Sequence, residues 1–536
     1  MLHKRGHHLF INYLLAFVLL ILFHNASGQI DQPNRYEEEH KNTDRYFNII
    51  SLKQEGLILV RDTEKFEDGK KLWEIVHLDS VLNAGWSDKL KLNNQLNLIG
   101  FEYLPGQLFL LFRSSETGLN NITLLQFSLL THEYIEYEIK HQFDLRLTHF
   151  SVAGTTAIFG GYAIKEPAVI LYSLKDKQVK VVPGFLLRDT ELLDLRVNHN
   201  YKTFNVLMAE RGVKEEKKIF VRTYDETGAL LVEDEMIMDN NKVPLSGMTS
   251  ELVRDEMIVV GTYGVGASKQ ASGFYSAMVE PFTDQAIRYT DFPQLQHLVD
   301  YLGEKKAMKV KQAADKQRQK GKAPSYKNYL SLIRIQEIEK GFLVLSEVYH
   351  TSTNLNSTPY WNSYPYNYGY GGNGYGYSPY GLNPYGNRYY NTPYSYNSSQ
   401  NSEVRMIESV VMLFDDEAKP DWDESFQFKD MKYSSLEQTS DFIETPKGIL
   451  MAYKKEGELM TKLTIPHDNH ALLDTVKIKV NDELATVKNE SDQGGSLKHW
   501  YKNYFYTWGY QTIRDKSKQP EDPTRHVFYI NKISAR

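Results

Sequence analysis

The chain contains no cysteine in its 536 residues. That excludes disulfides, a lipid-anchored N-terminal cysteine and any cysteine-ligated zinc or iron–sulfur centre. Long hydrophobic runs are also lacking. Leu9–Phe23 is one apolar stretch, shorter than the roughly 20 residues a bilayer span needs, and no other run reaches that length. A Gly-x-Ser-x-Gly nucleophile elbow is absent. The stretch Gly261-Thr262-Tyr263-Gly264-Val265-Gly266 has no Gly-Lys-Ser/Thr after it and opens no helical pattern. It reads as a hairpin loop, not a phosphate cradle. A basic excess is missing too: 62 Lys and Arg face 68 Asp and Glu, a formal net charge of −6. That balance argues against nucleic acid as the partner.

What is present begins with a processing signal. Lys4 and Arg5 precede the Leu9–Phe23 run, and Ala26-Ser27-Gly28 supplies small residues for cleavage before Gln29. Residues 1–28 are therefore expected to be a signal peptide. The mature protein is expected to be exported (periplasmic, outer-surface or extracellular) with no transmembrane span. Without disulfides it must hold together by its own core, and about 500 residues suffice for that.

Strand patterns dominate. Runs such as GLILVRD (56–62), QLFLLFR (107–113), FNVLMAE (204–210), GFLVLSEVY (341–349) and GILMAYK (448–454) are rich in β-branched, aliphatic and aromatic residues and bounded by turn residues. Each reads as the second strand of a group of four. The first strands begin near residues 45, 96, 145, 191, 245, 329, 435 and 496. A near-constant period of this size with four strands per unit marks radial repetition. Two units share a hairpin signature. Tyr224-Asp225-Glu226-Thr227-Gly228 and Phe414-Asp415-Asp416-Glu417-Ala418 each end a strand on an aromatic and turn on acidic residues, which tolerate turn geometry and face water. Both are expected between third and fourth strands, in units four and six.

On this periodicity the chain resembles the β-propeller superfamily over nearly all of residues 45–536. The Gly-His…Trp-Asp signature of WD repeats and the double glycine of kelch repeats are absent, so no functional residue carries over. The resemblance implies an all-β propeller of about eight four-stranded blades, with seven as the alternative. The last unit supplies three strands, and a strand from 29–44 is expected to complete it and close the ring. Trp73, Trp86, Trp422, Trp500 and Trp508 are expected in blade-to-blade packing.

Two insertions break the period. Within 293–322, Leu295, Leu298, Val299 and Leu302 recur at helical spacing, followed by Lys305, Lys306, Lys309, Lys311, Lys316, Arg318 and Lys320. A helix over roughly 293–320 is expected, with those leucines and the valine as its apolar face. Residues 351–402 form a low-complexity loop. It holds 13 of the chain's 37 tyrosines among Asn, Gly, Ser and Pro, with Arg388 as its one charge. Such a composition buries almost no aliphatic surface and predicts a disordered insertion within one hairpin.

Strand order has a geometric consequence. In an antiparallel meander a–b–c–d, the b–c loops and the d–a connections emerge on the same face. The basic helix, the 351–402 loop and the Gly264–Lys269 loop would then decorate one face of blades five and six. The candidate interaction surface is Tyr360, Trp361, Tyr364, Tyr366, Tyr368, Tyr370, Tyr375, Tyr377, Tyr380, Tyr385, Tyr389 and Tyr390, with Lys305, Lys309, Lys316, Gly264 and Gly266. Tyrosines stack, donate hydrogen bonds and bury apolar area with little rotamer entropy to lose.

No catalytic, cofactor or metal residues are assigned. His467-Asp468-Asn469-His470 sits after Pro466 among polar residues and reads as an exposed loop. The acidic clusters Glu233-Asp234-Glu235 and Asp415-Asp416-Glu417 lack the spaced ligands of a calcium loop. The leading expectation is a non-enzymatic binding or scaffold module of the cell envelope, its partner an envelope protein or glycan. A propeller hydrolase acting on glycans or peptides, and an adhesive protein self-associating through the tyrosine-rich loop, are the alternatives.

Overall fold

The computed structural model describes residues 28–41, 43–114, 121–185, 189–210, 217–239, 241–252, 257–280, 286–351, 403–433, 436–468, 470–481, 485–491, 495–515 and 524–536. Residues 1–27 of the expected signal lie outside them. Among the described residues no helix is long and apolar enough to cross a membrane.

The chain is an eight-bladed β-propeller. The inner a strands begin at Asn48, Leu96, Leu145, Thr190, Lys242, Tyr329, Ser440 and Ser496, each within a few residues of the sequence expectation. Both acidic hairpins join strands c and d, in blades four and six. Blade eight takes its outermost strand from the N-terminus: Ile30–Glu39 pairs antiparallel with Thr524–Ala535. A further strand, Ala485–Glu490, pairs with the distal part of Tyr504–Asp515, beyond the part held by the inner strand Ser496–Tyr501.

There is no single central core. Eight hydrophobic wedges each fill the gap between two adjacent blades, and the last joins blade eight to blade one through Phe47, Leu57, Trp500, Trp508 and Phe528. Period-two alternation makes this possible. In the blade-two strand Gln107–Ser114, Leu108, Leu110 and Phe112 enter the wedge toward blade one, while Phe109 and Leu111 enter the wedge toward blade three. A strand buried on both faces reads as a continuous apolar run, which is why QLFLLFR shows no polar alternation. Trp73 and Trp422 also occupy these wedges.

The a strands of blades two to six each carry a bulge, between Leu98 and Gly100, Leu147 and His149, Leu192 and Asp194, Pro244 and Ser246, and Leu332 and Arg334. An extra residue re-aims the side chains that follow it. Several of those are polar and cross to neighbouring blades. Asp194 of blade four, for example, accepts a 2.8 Å hydrogen bond from the Thr249 amide of blade five.

Candidate functional site

Blades five and six carry two of the connections that the repeat does not require; the extra strand Ala485–Glu490, between blades seven and eight, belongs to another. Strand d of blade five ends at Asp291, whose amide donates to the Gln294 side chain at 2.7 Å. The sequence reading of a helix from 293 needs correction here. Residues 292–302 form two 3-10 turns, Phe292–Gln294 and Asp300–Leu302, and α1 begins only at Glu304 and runs to Gln319. Leu295, at φ −69° and ψ 147°, is extended and ends the first turn after Gln294. Gly303, at φ 79°, breaks the chain direction before α1. Leu295, Leu298 and Val299 therefore do not line a helix. Together with Phe292 they plug the wedge between blades five and six, against Val260, Val344, Val410 and Met412.

Buried polar groups fix this plug. Asp423, on the outer strand of blade six, accepts hydrogen bonds from the amides of Gln296 (2.6 Å) and His297 (2.7 Å). Burial pushes its carboxyl above the usual range, against the pull of those two donors. Glu408, on the neighbouring strand, is raised well above the usual range by burial and then by the charge of Asp300. The Tyr301 and Tyr326 hydroxyls meet at 2.8 Å, and the Asn328 amide donates to Tyr301 at 2.9 Å. On α1, Ala307 and Ala314 are buried. Lys311 donates to the Gln296 carbonyl, and Arg318 pairs with Asp291 and Asp315. Lys305, Lys306, Lys309, Lys316 and Lys320 are exposed.

Direct contacts tie three roots to one face. Asn328, where the α1 insertion enters blade six, exchanges backbone hydrogen bonds of 2.8 and 2.9 Å with Ala271 in the b–c loop of blade five. One residue on, Tyr329 pairs with Tyr349 across strands a and b, and their rings stack with centroids 5.7 Å apart. Strand b then runs to Thr351, which pairs with Val404 at the start of strand c. The sequence between them, 352–402, lies outside the described residues, and with it Tyr360, Trp361 and the other ten tyrosines of the candidate surface. Gly264 lies inside strand b of blade five, which ends at Val265, and Gly266, at φ 63°, turns the loop. Gly261 lies inside that strand. A side chain there would strike the Tyr275 ring, 2.1 Å away, so this glycine serves packing.

A second polar grouping lies on the inner strands of blades six, seven and eight. Arg334 pairs with Asp441 at 3.1 Å, donates to the Phe442 carbonyl at 2.6 Å and meets His499 Nδ1 at 2.9 Å. Asp441 also accepts from the His499 amide at 2.9 Å. Burial, then the Arg334 charge, lowers His499 to about 4. The ring is thus neutral near pH 7. Its Nδ1 accepts from the guanidinium, and its Nε2 carries the hydrogen donated to the Lys502 carbonyl at 2.9 Å. Burial likewise lowers Lys498 to about 8. With both His499 nitrogens engaged, the arrangement is a three-blade clamp. Glu347 makes the equivalent link from blade six to blade seven, accepting from the Thr439 and Ser440 amides and the Ser440 hydroxyl.

Sequence reasoning missed all of these. Arg334 and His499 are 165 positions apart and Glu347 and Ser440 are 93 apart; no local motif connects them. His467, expected in an exposed loop, sits 57 % exposed beside Asp421 at 3.1 Å. Among the described residues no group of three or more His, Asp or Glu could hold a metal ion. A polar cleft of about 920 Å³ near the rim of blades one to three is lined by Lys70, Asn93, Asn94, Gln95, Glu136 and Lys177, among others.

No family model matches the chain, and no curated protein matches it. Solved structures do resemble it in fold. A polysaccharide lyase, Uly1, aligns over 95% of this chain and 100% of its own at 8% identity, with a TM-score of 0.37. A periplasmic gluconolactonase from Pseudomonas aeruginosa aligns over 81% and 96% at 10% identity, with a TM-score of 0.38. The propeller domain of the Trilobed protease from Pyrococcus furiosus aligns over 81% and 93% at 7% identity, with a TM-score of 0.31. Likeness this distant carries no argument about activity.

Proposed function

We infer that the protein is an exported, non-enzymatic binding or scaffold module of the cell envelope. Its recognition surface is the face of blades five and six where the b–c loops and the d–a connection emerge. One observation carries the reading: the α1 insertion, the blade-five b–c loop and the two ends of segment 352–402 converge through Asn328–Ala271, Tyr329–Tyr349 and Thr351–Val404. Loops held on a rigid scaffold are where binding residues concentrate. A ring of eight apolar wedges is such a scaffold, and Asp423 and Glu347 hold the decorated blade in register with what surrounds it.

Export is supported by Lys4, Arg5, the Leu9–Phe23 run and the small residues before Gln29. The partner is an envelope protein or glycan, recognised by the α1 surface and by the tyrosine-rich segment. Self-association through that segment is a distinct outcome of the same experiment. Removing 354–402 and following retention in the envelope tests the reading, with sedimentation of both forms alongside. Loss of retention by a monomeric, folded variant supports it. Unchanged retention overturns it, and a change in sedimentation alone assigns the segment to self-association instead.

A further inference from the structure

The basic residues of α1 and of its C-cap, Lys320, divide into an inward pair and an outward stripe, with exposed Lys306 to one side of the stripe. Lys311 and Arg318 turn toward the propeller, bound to the Gln296 carbonyl and to Asp291. Lys305, Lys309, Lys316 and Lys320 are exposed. At 3.6 residues per turn these four fall within an arc of roughly 60° and extend over about 22 Å of the helix axis. The buried Ala307 and Ala314 lie on the opposite side. None of the four lysines forms an ion pair with another described residue, whereas Arg318 forms two.

We propose that this lysine stripe is a track for a linear, carboxylated polysaccharide. The proposal deepens, and rests on, the reading of this face as the recognition surface. Charge complementarity selects a polyanion, and side-chain chemistry narrows the class. Protein interfaces are depleted in lysine and enriched in arginine and aromatics at their cores, and this stripe is lysine alone. Phosphate-rich ligands favour the bidentate guanidinium, yet the helix's arginine is turned inward. A membrane-bound amphipathic helix buries its apolar face in lipid, but here that face is spent on the propeller, and Met308, at 54 %, is the one large apolar side chain of α1 exposed beside the stripe, with the small Ala313. Flexible ammonium stems at uneven intervals of about 6, 10 and 6 Å along the axis suit a chain of repeated single charges. Such a chain adjusts its own conformation to the spacing.

The test is binding of polygalacturonate to the full mature chain, with neutral dextran, anionic phosphatidylglycerol vesicles and duplex DNA as comparison arms. The native protein is expected to bind polygalacturonate and not dextran, with affinity falling about tenfold or more between 50 and 200 mM salt as released counterions dictate. The combined variant Lys305→Gln, Lys309→Gln, Lys316→Gln, Lys320→Gln should lose at least about tenfold of that affinity, while the corresponding Lys→Arg set, which keeps the charge, should retain it. Polygalacturonate binding equal in native and Gln variant overturns the proposal, as does stronger binding to vesicles or DNA. If native protein ignores polygalacturonate while the 354–402 deletion loses envelope retention, the ligand class falls and the recognition face stands. If the stripe binds but neither variant alters retention, the recognition reading falls and the track stands.

Discussion

Blades three and six are built on the same meander and have little else in common. Blade three has strands of 9, 8, 8 and 4 residues, Leu145–Ala153, Thr156–Ala163, Glu166–Ser173 and Gln178–Val181. Its b–c turn consists of Ile164 and Lys165 alone. Blade six has strands of 10, 11, 11 and 14 residues, Tyr329–Ile338, Gly341–Thr351, Val404–Phe414 and Pro420–Tyr433. At the position of that two-residue turn it carries 352–402, and ahead of strand a it carries the α1 insertion. On the opposite face the two blades are equally plain. Glu339-Lys340 joins strands a and b of blade six, and Asp415–Lys419 joins c and d. The wedges explain the asymmetry. Phe159, Val344 and Leu345 all meet neighbouring blades from within strand b, so the body of the strand is fixed by packing while its end on one face is free to lengthen.

The comparison can be broken at several depths. The largest effect should come from the shared frame. Phe159, fully buried and stacked on Phe150 with centroids 5.4 Å apart, should cost about 3–5 kcal/mol as Phe159→Ala, measured by urea unfolding. Phe414→Ala, equally buried in blade six, should cost the same to within about 1 kcal/mol. A much smaller cost in blade six would mean that its frame is not equivalent.

Next comes the joint between blades six and seven. Burial pushes Glu347 up from 4.5 to about 8, against three hydrogen-bond donors. The folded chain thus holds the neutral acid more readily than the unfolded chain does. By linkage the contribution is full below the ordinary carboxylate range and is lost as pH rises from 4.5 to about 8. The thermal midpoint of the native protein should therefore fall between pH 5 and 8, and Glu347→Gln should flatten that slope. His499, lowered to about 4 by burial and Arg334, acts in the opposite sense and in a lower window: its contribution is full above its ordinary value and is lost on acidification toward 4. An identical slope in Glu347→Gln between pH 5 and 8 would remove Glu347 from the account.

A smaller and more local effect is expected at the plug. Asp423→Ala strands the amides of Gln296 and His297 without their acceptor, a cost of about 1–3 kcal/mol. Hydrogen exchange should quicken at 296–300 and stay unchanged in blade three. Uniform quickening would show that the insertion is part of the frame.

Much of this architecture was legible before the structure. Inner strands expected near 96, 145, 329 and 496 begin at Leu96, Leu145, Tyr329 and Ser496, because turn residues and apolar runs are local signals. The Tyr224–Gly228 and Phe414–Ala418 hairpins were readable for the same reason. The Leu295–Leu302 spacing misled because a 3-10 plug and an α-helix share the i, i+3 contact, and only the wedge between two blades decides between them. The clamp of Arg334, Asp441 and His499, and the Asp423 and Glu347 anchors, were invisible because ring closure, not sequence proximity, brings them together. For the candidate site, the sequence located the lysines and the loop roots. It could not tell that Lys311 and Arg318 turn inward while Lys305, Lys309, Lys316 and Lys320 face water.

We propose that blade six's elaboration serves recognition and not the ring. Deleting 354–402 and measuring thermal unfolding and envelope retention on the same variant tests it most directly. Shortening the loop should leave the unfolding midpoint unchanged or raised, with at most about 2.5 kcal/mol of added stability from reduced loop-closure entropy, while retention in the envelope is lost. A variant that unfolds at a markedly lower temperature, or one that stays fully retained, would contradict the account.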